Sequence, residues 1–368
     1  MIAELITSRT LELVKMKRTS SPHLSPDIHT VRVTEREREM AIHGRQQQKA
    51  KRKFQWWRLN TYSLRRMLIV LVVLAFTPPI FFHFRLKRFQ QMRLKKCNWL
   101  NNPPLVCAHG GDSSTNHAFP NTMSAYRAAI VSQVDCIEID VSRSSDGVLF
   151  ALHDRDLQRL SGNKTARVGH FTMREIKEIN GNHPFAEEFL DREVPTIEDA
   201  LALVSKSVRQ VILDAKVGPP NYEKGLATDI LSAKRRCDET KYPASRSEFL
   251  NRLISSDNLA RDVIKLTSDI PVGYIVMRDP STGARTNLLR IKAAGVVGVY
   301  HPLIDENLVK VVHGRKKKVY AWTVDESDSM KKMLFEHVDA IVTSYPTLLQ
   351  RLMHHIRIQC FEEGFSLL

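Results

Sequence analysis

From Leu105 to about residue 350, short apolar runs alternate with stretches in which apolar positions recur every three or four residues. The runs Leu105–Ala108, Cys136–Val141, Val148–Leu152, Val211–Leu213, Val272–Met277, Val296–Tyr300, Val319–Val324 and Ala340–Thr343 predict strands. Between them lie helical patterns: Met123, Tyr126 and Ile130 after Thr122, then Thr196–Val204, Glu306–Val312 and Ser329–Phe335. Such alternation implies a parallel sheet covered by helices. A length of about 250 residues without a glycine-rich dinucleotide fingerprint favours an α/β fold of the TIM-type (β/α)8 barrel class over a doubly wound sheet.

One connection departs from the rhythm. Val141 to Val148 is too short for a parallel crossover, and Asp146-Gly147 is a hairpin turn pair, so Val148–Leu152 folds back beside the preceding strand. His153 is thereby expected opposite Glu138–Asp140. One barrel strand must then come from between Asp214 and Val272, where the sole candidate, Phe249–Ser255, is polar for a buried strand.

Upstream the pattern changes. Met67–Phe84 is 18 residues without a formal charge, with Trp56, Trp57 and Tyr62 before it. Lys49, Lys51, Arg52, Lys53, Arg58, Arg65 and Arg66 precede it, and Arg85, Lys87, Arg88, Arg93, Lys95 and Lys96 follow. A buried soluble helix would carry those cations at both ends without counter-charge, and the distance from Met1 speaks against a cleaved signal. The expectation is one transmembrane signal anchor at 67–84, with Pro78-Pro79 either as a kink or as the mark of a segment that dips into one leaflet. The predicted organisation is a basic, largely disordered segment at 1–60, the anchor, a basic juxtamembrane linker at 85–104, a barrel at 105–350 and a tail at 351–368. Within the leader, Ile2–Met16 has the pattern of a short basic helix and Ser20–Pro26 that of a loop.

Charge sharpens this division. The first 104 residues hold 21 basic and 6 acidic side chains, the whole of the chain's +15, and the remaining 264 hold 34 of each. A neutral body excludes the nucleic-acid partner that a basic chain suggests, and the leader's cations suit anionic lipid headgroups. The five cysteines lack metal spacing and a framework pattern; Cys107 and Cys136 sit in apolar runs and read as buried thiols, with one disulfide pair left open for an oxidising lumen. The bias of flanking cations leans toward a single-pass endomembrane or secretory protein with a lumenal or extracellular barrel, where the sequon Asn163-Lys164-Thr165 would be exposed.

The candidate chemistry lies where apolar runs end: Ala108-His109-Gly110-Gly111-Asp112, Ile137-Glu138-Ile139-Asp140-Val141, Leu152-His153-Asp154 and Val211-Ile212-Leu213-Asp214-Ala215-Lys216. Two residues apart on a strand, Glu138 and Asp140 share a face, as do Asp214 and Lys216. Two acids on an interior face need a partner. Oxygen ligands favour one divalent cation, Mg²⁺ or Ca²⁺, held by Glu138, Asp140 and Asp214. Two histidines beside it, His109 and His153, suit acid–base chemistry on a phosphate ester, with Lys216 meeting the anion. Asn121 reads equally as a helix cap, Trp322 equally as core, His301 as structural, and Lys316-Lys317-Lys318 as a solvated loop.

At these residues the chain resembles the glycerophosphodiester phosphodiesterase family of phospholipase-C-like barrels. That family's pattern is His-Arg-Gly, Glu-Asn-Thr, Glu-x-Asp, His-Asp, Glu-x-Lys, Trp-Thr-Val-Asn and Thr-Asp-x-Pro. Here the pattern appears in order as His109-Gly110-Gly111, Pro120-Asn121-Thr122, Glu138-Ile139-Asp140, His153-Asp154, Asp214-Ala215-Lys216, Trp322-Thr323-Val324-Asp325 and Thr343-Ser344-Tyr345-Pro346; Val194–Leu201 resembles the family's Pro-Thr-Leu-Glu-Glu segment. The resemblance implies hydrolysis of glycerophosphodiesters to sn-glycerol 3-phosphate and an alcohol, first attack by the substrate's own hydroxyl through a cyclic phosphate, His109 and His153 as the acid–base pair, Glu138, Asp140 and Asp214 as metal ligands, and Lys216, Asn121 and Trp322 as substrate contacts. Gly110, Pro120, Asp214, Asp325 and Ser344 depart from the pattern; the first two resemble a plant-type branch with His-Gly-Gly and Phe-Pro-Asn-Thr. Two alternatives follow: a phospholipase-D-like activity on lysophospholipids, and a silent barrel that binds phosphodiesters.

Overall fold

In a computed structural model of the chain the described residues are 35–113, 118–154, 157, 163, 165–181, 194–217, 224–239, 250–254, 256–268, 271–279 and 281–367. The expectations for Ile2–Met16, Ser20–Pro26 and Lys164 lie outside them. The chain divides into two compact units, residues 1–83 and 84–368.

Among its described residues the second unit carries nine strands: β1 (Leu105–His109), β2 (Cys136–Arg143), β3 (Leu149–Ala151), β4 (Gln210–Ala215), β5 (Leu250–Ile254), β6 (Val272–Val276), β7 (Val296–Tyr300), β8 (Lys318–Trp322) and β9 (Ala340–Thr343). Eight are parallel and close on themselves in the order β1-β9-β8-β7-β6-β5-β4-β2, with β2 returning to β1. This is a TIM-type barrel. β3 stands outside the ring, antiparallel to β2, as the short Asp146-Gly147 turn requires. The doubtful strand is present: Leu250–Ile254 pairs with both neighbours, and Ile254 is fully buried.

Helices cover the ring. They are α2 (Met123–Val131), α3 (Met173–Gly181), α4 (Ile197–Val204), α5 (Leu226–Glu239), α6 (Asp257–Leu266), α7 (Glu306–His313), α8 (Ser327–Phe335) and α9 (Pro346–Glu362). Thr122, Thr196, Ser256 and Asp305 cap four of them by accepting a backbone N–H three residues on. Side chains alternate across the strands. Val106, Ala108, Ile137, Ile139, Val141, Val211 and Leu213 join the core under the helices. Cys107, Cys136, Ile212, Val296, Tyr320, Ala340 and Val342 fill the barrel interior, where Gln210 and Tyr320 hydrogen-bond to one another across it.

The segments flanking the barrel differ from the sequence reading. Helix α1 runs Glu35–Cys97, so residues 35–60, expected to be disordered, are helical. They are rich in Glu, Arg, Gln, Lys and Ala, whose helix propensity needs no apolar face. The stretch Tyr62–Asn101 is long and apolar enough to cross a membrane.

The linker and tail expectations give way to structure that belongs to the barrel unit. Residues 351–368 continue α9 to Glu362, on a stripe of Leu349, Leu352, Met353, Ile356 and Cys360. Cys97 forms a disulfide with Cys360, Arg93 donates to the Glu363 carbonyl at 2.7 Å, Lys96 pairs with the Glu363 carboxylate at 2.7 Å, and Trp99 is buried. The bond closes a loop of 263 residues, worth about 5.6 kcal/mol in the chain-entropy treatment. Helix α9 runs antiparallel to the strands, so this clamp lies at their N-terminal face.

A second disulfide joins Cys107 to Cys136, correcting their reading as thiols: β1–β2 pairing sets the two directly opposite, Cα atoms 4.5 Å apart. Lys317 also departs from expectation. It is buried, and its ammonium donates to the Ile291, Lys292 and Ala294 carbonyls.

Candidate active site

The C-terminal ends of β1, β2 and β4 converge on one buried polar cluster. His109 ends β1 opposite Glu138, and Asp140 of β2 lies opposite Asp214 of β4. The interior face that carries Cys107 and Cys136 therefore continues upward as His109, Glu138 and Asp140. Leu152 donates to the Asp140 carbonyl at 3.1 Å, which fixes the chain beyond β3 beside that strand and brings in His153.

Ligand atoms of Glu138, Asp140 and Asp214 lie within 4.8 Å of one another, and so do those of His109, Asp140 and His153. The imidazoles of His109 and His153 meet edge-on, ring centres 5.9 Å apart. His109 Nε2 is 4.0 Å from a Glu138 oxygen, and His153 Nδ1 is 3.1 Å from Asp154 Oδ1. Lys216 stands between the acids: Nζ is 2.8 Å from Asp140 Oδ1 and also bonds Asp214 Oδ2.

Backbone and helix shape this cluster. After His109 the chain turns through Gly110 and Gly111 at φ +62° and +92°. A Cβ on Gly110 would meet Pro120 Cβ at 2.8 Å, and one on Gly111 the Ala125 backbone at 2.7 Å. The two departures Gly110 and Pro120 thus form one feature, because proline fills the place of a residue-110 side chain. The bare Gly110 N–H donates to Glu138 Oε2 at 3.0 Å. Asn121, itself at φ +66°, donates from Nδ2 to Asp140 Oδ2 at 2.7 Å, while its Oδ1 accepts from the Asp140 N–H and the Tyr126 hydroxyl, each at 3.1 Å. Asn121 thus turns its polar atoms to Asp140. Tyr126 was legible only as one residue of α2's apolar stripe.

Electrostatics sort these groups. Burial pushes Glu138 well above the usual carboxylate range, helped by the charges of Asp140 and Asp214. Burial also raises Asp214, with Lys216 pulling against it and Asp140 adding to it. Burial would raise Asp140 too, but Lys216, His153 and His109 outweigh it and hold it low. Burial lowers His109, which favours the neutral imidazole. Lys216 is raised by its acids against burial and keeps its charge.

With all three carboxylates ionised, as a bound cation would favour, three carboxylates and one ammonium leave an excess of two negative charges, and Asp214 Oδ1 is buried without a hydrogen-bond partner among the described residues. An all-oxygen donor set with one unsatisfied lone pair suits a hard divalent cation.

Across the barrel, Trp322 ends β8 opposite Tyr300 of β7, ring centres 5.6 Å apart, and packs on the interior cluster. Asp325 accepts from Thr343 Oγ1, Ser344 N and Ser344 Oγ at 2.8–3.1 Å. The altered positions 325 and 344 are therefore partners, and a serine donor faces the carboxylate. The structure brings His109, Glu138, Asp140, His153, Asp214, Lys216 and Asn121 together; Trp322 lies on the facing wall.

Known proteins resemble the chain over this region. The sequence model of the Glycerophosphoryl diester phosphodiesterase family matches residues 109–348. Glycerophosphodiester phosphodiesterase GDPD4 of Arabidopsis thaliana is 57% identical over 305 residues, covering 82% of this chain and 89% of that protein. A glycerophosphodiester phosphodiesterase of Caldanaerobacter subterraneus is 30% identical over 258 residues, covering 68% and 97%. Among solved structures, a phosphodiesterase of Oleispira antarctica in complex with its product sn-glycerol-3-phosphate superposes with a TM-score of 0.55 at 22% identity, covering 68% of this chain and 97% of that one.

Proposed function

The chain belongs to the glycerophosphoryl diester phosphodiesterase family, and on that premise we propose how its barrel hydrolyses glycerophosphodiesters. The observation that carries the reading is the pair His109 and His153, facing one another at 5.9 Å beside three carboxylates. The substrate's phosphodiester lies against the exposed edges of both imidazoles. His109, kept neutral by burial, takes the proton from the glycerol hydroxyl that attacks phosphorus. His153, held at one nitrogen by Asp154, gives a proton to the departing alcohol. A cyclic phosphate and a free alcohol result. With the histidine roles exchanged, His153 takes a proton from water as it opens the ring and His109 returns one to the glycerol oxygen, leaving sn-glycerol 3-phosphate.

Glu138, Asp140 and Asp214 would hold one divalent cation, Mg²⁺ or Ca²⁺, which when bound screens phosphoryl charge. Lys216 offsets the carboxylates and supplies a second positive charge for the phosphate. Asn121 orients Asp140, and Trp322 walls the leaving-group side.

The test is release of sn-glycerol 3-phosphate from glycerophosphocholine by the full chain, with and without chelator. Release that stops on chelation and returns with Mg²⁺ or Ca²⁺ is expected; release indifferent to chelation sinks the metal assignment, and no release from any diester sinks the reading.

Exposed apolar side chains at the C-terminal ends of strands favour a second reading. Phe119, Met277, Tyr300 and Tyr345 are each about 40% exposed there. An acyl chain could rest on them, as lysophospholipid cleavage requires. Equal or faster turnover of lysophosphatidylcholine in the same assay would select that reading.

The proton on Glu138 competes with the cation. Its raised pKa means that the native, cation-free protein binds more protons than the unfolded chain at pH values above the ordinary glutamate range. That contribution to stability falls as pH rises. A bound cation reverses the cost of ionisation, so the rise in Tm on adding Mg²⁺ should grow from about pH 6 to about pH 8. A Tm increment that shrinks over this interval, measured by scanning calorimetry, contradicts the assignment.

For location, we read residues 67–84 of α1 as a single-pass anchor and the barrel as lumenal or extracellular. Two disulfides within the barrel unit and the sequon at Asn163 support this, because disulfides persist in oxidising compartments.

A further inference from the structure

We propose that the Cys107–Cys136 disulfide is a positioning element of the active site, holding the strand pair that sets His109 against Glu138. This deepens the reading above and rests on it for the roles of those two residues.

Cys107 faces Cys136, and two residues further along each strand His109 faces Glu138. Side chains two apart share a face, so the disulfide lies one interior layer beneath the candidate base and the candidate ligand. The β1–β2 ladder has three register pairs from Cys107↔Cys136 to His109↔Glu138, as many as β5–β6, one more than β8–β9 and half the six of β2–β4, and of these short ladders it is the one that carries two candidate site residues as its last pair. Above it, β1 ends at once in the Gly110-Gly111 turn, which gives His109 no further strand to hold it. The covalent bond therefore compensates for a short ladder at the point where the ring closes.

Volume makes the bond consequential. Both cysteines are fully buried, packed with Ile212, Val296, Tyr320, Ala340 and Val342. Two unbonded sulfurs keep van der Waals separation and need more room than a bonded pair, and a close-packed interior resists supplying it. Without the bond β1 and β2 separate, or one thiol rotates into its neighbours. Displacements well under 1 Å matter at catalytic and metal-binding groups. The Gly110 N–H bond to Glu138, which crosses between the same strands, moves with them.

Forming the bond removes two protons and two electrons from the thiols, delivered by exchange to a disulfide donor of an oxidising compartment. Full burial then shields it from reductant. It acts as a fixed brace set during folding, distinct in place from the Cys97–Cys360 clamp at the N-terminal face.

The test compares three double variants of the full chain: Cys107→Ala/Cys136→Ala, Cys107→Val/Cys136→Ala to restore volume if the first does not fold, and Cys97→Ala/Cys360→Ala as control. Non-reducing peptide mapping of the wild type should show the 107–136 link. Both 107/136 variants should bind Mg²⁺ about tenfold more weakly by calorimetry and show a displaced acid limb in the kcat–pH profile, with KM for glycerophosphocholine changed less than threefold. The 97/360 variant should lose Tm but keep cation affinity and pH profile. Free thiols at 107 and 136 in the natively isolated protein, or a folded 107/136 variant with wild-type cation affinity, overturn the proposal. Failure of the wild type to release glycerol 3-phosphate would instead indict the functional reading, leaving mapping and calorimetry to judge the brace.

Discussion

Replacing His109 with alanine is expected to lower kcat on glycerophosphocholine by about 10²- to 10⁴-fold, the usual worth of a positioned acid–base group. KM should move far less, because the phosphate retains Lys216 and the carboxylate-bound cation. Among the described residues the imidazole's contacts are the 4.0 Å approach to Glu138, the edge-on ring of His153 and the neighbouring Asp140 carboxylate, none of them a hydrogen bond that the fold depends on. The variant should therefore keep its Tm within about 1 °C, and imidazole added to the assay should restore part of the rate. His109→Gln, which keeps a polar side chain but cannot take the proton, should be as slow. A variant with more than a tenth of wild-type kcat would remove His109 from the mechanism.

The second large effect concerns Asp140. Asp140→Asn should weaken Mg²⁺ binding by at least about a hundredfold, beyond the 10- to 100-fold cost of losing a mere supporting group. The reason is that Asp140 belongs to both clusters: with Glu138 and Asp214 on one side, with His109 and His153 on the other. It is also one of two anchors of Lys216 and receives Asn121. Its amide replacement presents an NH₂ where Asn121 Nδ2 or the Lys216 ammonium also donates, so a donor faces a donor. Saturating Mg²⁺ should recover only part of the rate. Calorimetry that finds wild-type affinity in the folded variant would displace Asp140 from the site.

The sequence pattern and the structure agree most closely where the signal is local. Period-two alternation puts Glu138 with Asp140 and Asp214 with Lys216 on single faces, and those faces line the interior. The hairpin after Val141 is legible because too few residues separate the runs, whereas the cap read at Asn121 falls one residue on, at Thr122. Residues 250–254 read as doubtful because their polarity hides a strand whose edges are satisfied on both sides by β4 and β6. The stripe of α9 is present in the sequence at Leu349, Leu352, Met353, Ile356 and Cys360, but without a partner it does not announce what it packs against.

Other features depend on who stands opposite. Lys317 looks solvated beside two further lysines until three carbonyls gather on it. Asn121 reads as a cap until the barrel sets it against Asp140 and Tyr126. Gly110 and Pro120 look like two losses until the turn shows one occupying the space of the other.

By itself, then, the sequence determined the strand faces, the turn chemistry and the identity of the acids and histidines, because side-chain periodicity and turn preference act over a few residues. Tertiary structure decided what those groups meet. Cys107 pairs with Cys136 across 29 positions and Cys97 with Cys360 across 263, and Lys216 turns to Asp140. Such contacts are set by ring closure and strand register, which place residues far apart in the chain at bonding distance and which no local pattern encodes.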